Sequence, residues 1–99
     1  MATIVEKIFS SHAGGEVKAG ELVMVKVDAS LVQDMNGPST IKYFESFAET
    51  VISPEKHLFS LDHFSPSSSI QAANNHRKMR HFVKRHGIGH MVEEGSGIG

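Results

Sequence analysis

The sequence predicts an α/β fold, a three-layer sandwich in which a small, mostly parallel sheet lies between helices. Apolar residues at helical spacing alternate along the chain with short β-branched or apolar runs, in the order helix, strand, helix, strand, helix, strand. The run at residues 22–27 is almost continuously apolar, which is typical of a strand buried on both faces of a parallel sheet. Because 99 residues suit one small domain, residues 1–99 are interpreted as a single α/β segment.

The amino-terminal third is predicted to hold the first helix and the first strand. Thr3 fits the N-cap of a helix, Glu6 completes the spacing of a capping box, and Gly14 and Gly15 end the helix. Residues 22–27 are predicted to form the first strand because β-branched side chains are frequent there. A sheet of three strands has two open edges, which indicates that this segment is part of a larger protein.

The remaining elements continue the alternation. Residues 28–37 are predicted to form a loop, and Pro38 fits the first position of a second helix. Residues 58–61 form the predicted second strand, residues 66–86 the third helix and residues 88–92 the third strand. The third helix is predicted to bury one face, which contains Ala72, His76, Met79 and Val83.

Composition excludes several classes of protein. A net charge of −1 provides no basic field, so neither a nucleic acid nor an anionic membrane is predicted as a partner. No cysteine is present, which excludes disulfides and thiolate metal sites within these residues. No apolar run approaches the roughly 20 residues that span a bilayer, and no signal-peptide core follows Met1, so a soluble, cytoplasmic chain is predicted.

The best catalytic candidates are the neighbours Asp62 and His63, directly after the predicted second strand. In an α/β protein, polar groups at the carboxyl ends of the strands face the crevice in which ligands bind. A carboxylate beside an imidazole stabilises its protonated form, so the pair can act as a general acid. The alternative is structural: an aspartate that caps a turn beside a histidine facing solvent.

A second candidate site is the predicted start of the second helix, at Asn36, Gly37 and Pro38. Unpaired amides and the helix dipole favour a carboxylate at such a position, so these residues are predicted to bind substrate. An ordinary helix start is the alternative. No metal ligand is predicted, because His76, His81 and His86 are spaced five residues apart and point around the helix in different directions.

Five collinear segments of the chain together resemble the amino-terminal part of the aconitase superfamily, most nearly the large subunits of 3-isopropylmalate dehydratase and homoaconitase. The segments are residues 4–14, 20–28, 33–38, 61–66 and 94–98. The resemblance covers essentially the whole chain and is more specific than any one segment. It implies a hydro-lyase that isomerises a hydroxy polycarboxylic acid by dehydration and rehydration, in leucine biosynthesis for the dehydratase type.

The same resemblance implies roles for particular residues and partners. Asp62 and His63 match the Asp-His pair that helps to protonate the departing hydroxyl, and residues 34–38 match a segment near the substrate. It also implies a 4Fe-4S cluster that binds the substrate, and a separate small subunit that carries the swivel domain. The resemblance also implies that the cysteines that hold the cluster lie downstream of these segments, and this chain has no cysteine.

Two further functions stay open at this point. A non-catalytic interaction or regulatory module would retain the fold without the cysteines and the other catalytic residues. A basic helix that binds nucleic acid is the weaker alternative, because the basic residues of the third helix are not interleaved with aromatic side chains. On the leading interpretation, the 99 residues supply one wall of a hydro-lyase active site and are inactive alone.

Overall fold

The fold is that of a computed structural model, which describes residues 1–96. The elements are α1 (Ile4–Ala13), β1 (Ser30–Gln33), α2 (Gly37–Phe47), a 3-10 turn (Pro54–Lys56), β2 (His57–Ser60), α3 (Ile70–His86) and β3 (His90–Val92). The end of the predicted glycine-rich turn, residues 97–99, lies outside the described part of the chain. None of the described helices is long and apolar enough to cross a bilayer.

The α/β class and the parallel sheet are confirmed. The strands are arranged in the order β1-β2-β3 and both neighbouring pairs are parallel. The register places Val32 beside Phe59 and Phe59 beside Met91, so these three side chains share one face of the sheet. The hydrophobic core packs against that face.

The described residues form two layers rather than the expected three. Buried side chains of α2 and α3 belong to one core cluster with Phe59, so both helices cover the same face. Two right-handed crossovers that advance in the same direction place both helices on one side of the sheet, which explains this arrangement. α1 has no buried residue, and Leu31 on the opposite face of the sheet is exposed. The core cluster comprises Ile41, Phe59, Leu61, Met79, Phe82 and Ile88.

The predicted first strand is wrong. Residues 22–27 form no strand, and the side chains of Leu22 and Met24 are exposed to solvent. The strand that enters the sheet is β1, which lies inside the predicted loop and pairs with β2 from Ser30 opposite His57. The Ser30 hydroxyl and His57 Nδ1 lie 2.6 Å apart across that pair. Apolar, β-branched composition describes a strand that fits a sheet, but pairing and burial decide which segment enters it.

The helix boundaries follow their local signals more closely. Thr3 caps α1 in a complete capping box with Glu6, and Gly14 ends the helix in the left-handed conformation. α3 begins after the Ser69 cap, four residues later than predicted, and Gly87 ends it as expected. α2 begins at Gly37 and approaches α3 closely, because a Cβ on Gly37 would lie 2.6 Å from Met79 Cε.

Candidate active site

The carboxyl ends of the three strands meet at one edge of the sheet, as the sequence predicts for Asp62 and His63. Asp34 follows β1 directly, and its N–H donates to the carbonyl of Ser60 at 2.9 Å. The N–H of Leu61, which follows β2, donates to the carbonyl of Val92 at 2.9 Å. The strand ladders therefore continue to this edge. The carboxyl-end cluster discussed below consists of Asp34, Asp62, His63 and His76.

Asp62 and His63 are joined by a hydrogen bond between their side chains. His63 Nδ1 lies 2.7 Å from Asp62 Oδ1 and 3.5 Å from Asp34 Oδ1, so two carboxylates face the same ring nitrogen. Ionised carboxylates only accept hydrogen bonds, which places a proton on Nδ1. The His63 side chain is 36% exposed, and its Nε2 makes no hydrogen bond within residues 1–96. Nε2 is therefore the atom through which this imidazole can exchange a proton with a ligand.

Asp34 is the buried centre of the cluster, with a side chain that is 0% exposed. Oδ1 accepts a hydrogen bond from the N–H of His63 at 3.0 Å. Oδ2 accepts from the N–H of Phe64 at 2.9 Å and from His76 Nε2 at 2.8 Å. Burial acts to raise the pKa of Asp34, but the hydrogen bonds from Phe64, His63 and His76 outweigh it and lower the pKa. The carboxylate is therefore ionised at neutral pH in spite of its burial.

His76 extends the cluster into α3. Its side chain is 4% exposed, and its Nε2–H donates to Asp34. Its Nδ1 lies 3.1 Å from the hydroxyl of Ser67, which completes the hydrogen bonding of the ring. The sequence correctly predicts His76 on the buried face of the helix. It does not predict the contact with Asp34, although a histidine on a buried face requires a hydrogen-bonding partner.

Two acidic residues border the cluster where the chain leaves β3. Glu93 Oε2 accepts a hydrogen bond from Arg80 Nε at 2.5 Å. Glu94 Oε1 accepts from the hydroxyl of Ser65 at 2.6 Å, which ties the chain after β3 to the turn after β2. Both glutamates are thus held by neighbouring elements, and the edge carries more negative charge than positive charge.

Each residue of the second predicted site, at positions 36–38, has a structural role in the loop or at the start of α2. Asn36 is exposed, and its Oδ1 accepts from the N–H of Gln33 at 3.1 Å instead of capping α2. Gly37 is buried under Met79, and Pro38 occupies the first turn of α2. Substrate binding by Asn36, Gly37 and Pro38 stays a prediction. An apolar cleft of about 400 Å³ is lined by side chains of the sheet, α2 and α3 and contains none of the four residues of the carboxyl-end cluster.

Three residues of the cluster carry donor atoms that a metal ion could bind. Asp34, Asp62 and His63 each offer one atom, and these atoms lie within 4.8 Å of one another. His63 Nδ1 already donates to Asp62 Oδ1, so hydrogen bonding accounts for the approach of these groups. An iron–sulfur cluster takes thiolate ligands, and the chain has no cysteine. The residues of this chain therefore do not fit the 4Fe-4S group that the resemblance implies.

Comparison with known proteins bears directly on the resemblance. No protein-family model matches the chain. The 3-isopropylmalate dehydratase large subunit of Aquifex aeolicus is 42% identical over 98 residues, which cover 97% of this chain and 23% of that protein. The large subunit of Methanoregula boonei is 42% identical over 88 residues, covering 88% and 21%. Large subunit 1 of Thermotoga maritima is 38% identical over 96 residues, covering 97% and 23%.

The chain thus spans a little under a quarter of the length of the curated relatives that it matches. Identities near 40% over most of the chain confirm the resemblance that the five collinear segments predict. Over nearly its whole length, this chain is similar to part of the large subunits of 3-isopropylmalate dehydratase.

Proposed function

We propose that this chain forms the proton-donating wall of a hydro-lyase active site of the 3-isopropylmalate dehydratase type. The observation that carries the proposal is the 2.7 Å hydrogen bond between His63 Nδ1 and Asp62 Oδ1. It commits Nδ1 to a carboxylate and leaves Nε2 free to face a ligand. A histidine held in this way can serve as a general acid near neutral pH, because the carboxylate stabilises the imidazolium.

The chemistry assigned to these two residues is proton transfer at the departing hydroxyl. In the dehydration direction the C–O bond breaks, the oxygen keeps the electron pair, and Nε2–H of the His63 imidazolium supplies the proton, so that water leaves. In the rehydration direction neutral Nε2 accepts a proton from water as its oxygen adds to the alkene. The proton on the neighbouring carbon goes to a base outside the described residues.

The negative charge of this wall supports an active site that is completed by other parts of the enzyme, rather than one formed by this chain alone. Four carboxylates lie at or beside the carboxyl ends of the strands: Asp34, Asp62, Glu93 and Glu94. Arg80, which reaches this edge of the sheet, is already paired with Glu93. A hydroxy polycarboxylate is repelled by such a surface, so the cations that bind it must come from other parts of the enzyme.

We therefore assign to this chain no activity of its own. A small subunit is the expected partner, because the relatives are named as the large subunits of their enzyme. The 4Fe-4S cluster also belongs to the proposal only as a component held elsewhere, since its thiolate ligands are absent here. No proton transfer proposed for Asp62 or His63 passes through that cluster.

The test is turnover of 3-isopropylmalate by the full-length gene product together with its small subunit. His63→Ala should lower kcat by about 10²-fold, the usual effect of removing a general acid, while the iron content of the enzyme stays that of the wild type. His81→Ala is the matched control, because His81 is exposed on α3 and makes no side-chain hydrogen bond within the described residues. Full turnover in His63→Ala would remove the assigned role.

A non-catalytic interaction module remains the second candidate, and one observation favours it. Leu22, Met24 and Val27 are exposed although they are large and apolar, which is typical of a surface that contacts another protein. The intact mass of the native gene product separates the two functions when it is measured beside hydro-lyase activity. A product of 99 residues without activity supports the module, and an active product several times longer supports the enzyme.

A further inference from the structure

Asp34 and His76 are buried side chains that touch the proposed acid pair without being part of it. We propose that they are positioning residues, which hold the turn that carries Asp62 and His63 in the geometry required for proton transfer. The inference rests on the proposed function and extends it to two residues that neither the sequence nor the comparisons connect with the proton transfer. Three connected observations support it.

The first observation is that the Asp34 carboxylate is hydrogen-bonded to the backbone of the turn. Its two carboxylate oxygens accept hydrogen bonds from the consecutive amides of His63 and Phe64, at 3.0 and 2.9 Å. Its own N–H donates to Ser60, the last residue of β2. Asp34 therefore ties the end of β1 to the chain on both sides of Asp62. The backbone position of His63 determines where its imidazole lies, so loss of these hydrogen bonds should displace Nε2.

The second observation is the contact between Asp34 and the ring of His63. Asp34 Oδ1 lies 3.5 Å from Nδ1, on the side of the imidazole that already faces Asp62. A second negative group at this nitrogen favours the orientation in which Nδ1 carries the proton and Nε2 faces outward. Asparagine at position 34 would present an amide N–H to one of the donors, so it preserves the size of aspartate but not its two acceptors.

The third observation is the support that His76 gives to Asp34. Its Nε2–H donates at 2.8 Å to the oxygen that also accepts from Phe64. Ser67 in turn meets His76 Nδ1 at 3.1 Å, which fixes the ring from the far side. The chain of contacts therefore runs from Ser67 through His76 and Asp34 to the turn. Effects on catalysis should decrease along it with distance from His63.

The test uses kcat and KM of the full-length enzyme with its small subunit, for Asp34→Asn, His76→Leu and His76→Gln. Asp34→Asn should lower kcat by about 10- to 100-fold, as expected when a catalytic group is displaced by about 1 Å, with little change in KM. His76→Leu should lower kcat less. His76→Gln should restore much of the loss, because its amide can donate to Asp34 as Nε2 does. His81→Leu is the surface control.

The decisive measurement combines Asp34→Asn with His63→Ala. If Asp34 contributes to catalysis only by positioning His63, replacing Asp34 has no further effect on kcat once the His63 side chain is absent. The double variant should therefore match His63→Ala in kcat. A purely structural contribution of Asp34 would instead lower kcat by the same factor in both backgrounds and would overturn the inference. His76→Leu and His76→Gln with equal kcat would also overturn it, and this pair does not depend on the folding of Asp34→Asn.

The two proposals fail in different ways. If His63→Ala abolishes turnover while Asp34→Asn and His76→Leu leave kcat intact, only the positioning role is lost. If the wild-type enzyme has no hydro-lyase activity, the proposed function and the positioning role are lost together. Hydrogen exchange of the full-length chain gives a readout independent of activity. Asp34→Asn should reduce the protection of the His63 and Phe64 amides, and His81→Leu should not.

Discussion

Residues 4–27 and residues 30–92 use their apolar side chains in opposite ways. The later region contains the whole core cluster, from Ile41 to Ile88. Among the described residues of the earlier region, Val17 is the one hydrophobic side chain that is buried. Val23 and Val25 are partly buried, and its other large apolar residues are exposed, namely Ile4, Val5, Ile8, Phe9, Leu22, Met24 and Val27.

Local sequence signals are equally good in the two regions. Thr3 and Gly14 cap α1 as well as Ser69 and Gly87 cap α3. The difference is tertiary: α3 packs against α2 and the sheet, whereas α1 has no buried residue. Caps and propensity therefore shape a helix, but burial of its apolar face decides how much the helix contributes to stability.

The sharpest test of this comparison replaces one phenylalanine in each region of the 99-residue chain. Phe59 is 3% exposed and stacks on Phe82 with ring centroids 5.7 Å apart. Phe59→Ala should lower the free energy of unfolding by about 3 to 5 kcal/mol, because it leaves a cavity in the core. Phe9 is 40% exposed, and Phe9→Ala should lower that free energy by at most about 1 kcal/mol.

Urea unfolding followed by circular dichroism measures both changes. Equal losses for Phe59→Ala and Phe9→Ala would show that α1 is packed as firmly as the sheet. That result would contradict the division of the molecule into a packed region and an unpacked one.

The same division shows what the sequence could predict about the fold. The capping box of Thr3 and Glu6 and the stops at Gly14 and Gly87 depend on residues at most a few positions apart, and these predictions are confirmed. The choice of residues 22–27 as the first strand depends on composition, and it is wrong. Strand pairing is a tertiary property, and β1 enters the sheet because its register places Val32 beside Phe59.

The candidate site divides in a similar way. Asp62 and His63 are neighbours in sequence, so their pairing follows from their placement after an apolar run. Asp34 and His76 are 42 residues apart and meet only because β1, β2 and α3 pack together. Predicting that contact would require the register of the sheet and the rotation of α3, neither of which the sequence pattern specifies.

Two glycines test how closely the packed region fits together. A Cβ on Gly89 would lie 2.8 Å from the backbone Cα of Glu55, which cannot move without displacing the 3-10 turn. A Cβ on Gly37 would meet only the end of the flexible Met79 side chain. Gly89→Ala should therefore lower the free energy of unfolding by about 1 to 3 kcal/mol, and Gly37→Ala by less. Urea unfolding of the two variants gives the order, and the reverse order would contradict the backbone contact at Gly89.

Acid unfolding tests the buried charge of the packed region. The pKa of folded Asp34 is lowered below its ordinary value of 3.8: burial acts to raise it, but the hydrogen bonds from Phe64, His63 and His76 outweigh burial. A carboxylate with a depressed pKa stabilises the fold above about pH 4, and that stabilisation is lost as the pH falls through the folded pKa. Asp34→Asn should therefore flatten the decline in stability below about pH 4. An unchanged decline would show that Asp34 is not held in ionised form by its partners.

The smallest effect is expected for the exposed ion pair that joins the earlier region to the residue just after it, where His12 Nε2 lies 2.6 Å from Asp28 Oδ2. The hydrogen bond that His12 donates to Asp28 raises the pKa of His12 above its ordinary value of 6.5. The pair therefore stabilises the fold below about pH 6.5 and loses this effect as the pH rises through the folded pKa. Asp28→Asn should remove that weak dependence of stability on pH.

Because the side chain of Asp28 is 78% exposed, salt should screen the pair, whereas the buried Asp34 should keep its stabilising effect in the same buffer. The free energy of unfolding of Asp28→Asn and of Asp34→Asn, measured at pH 5.5 and 8 in low and high salt, distinguishes the two carboxylates. Equal salt sensitivity of the two would contradict the contrast between the exposed and the packed region.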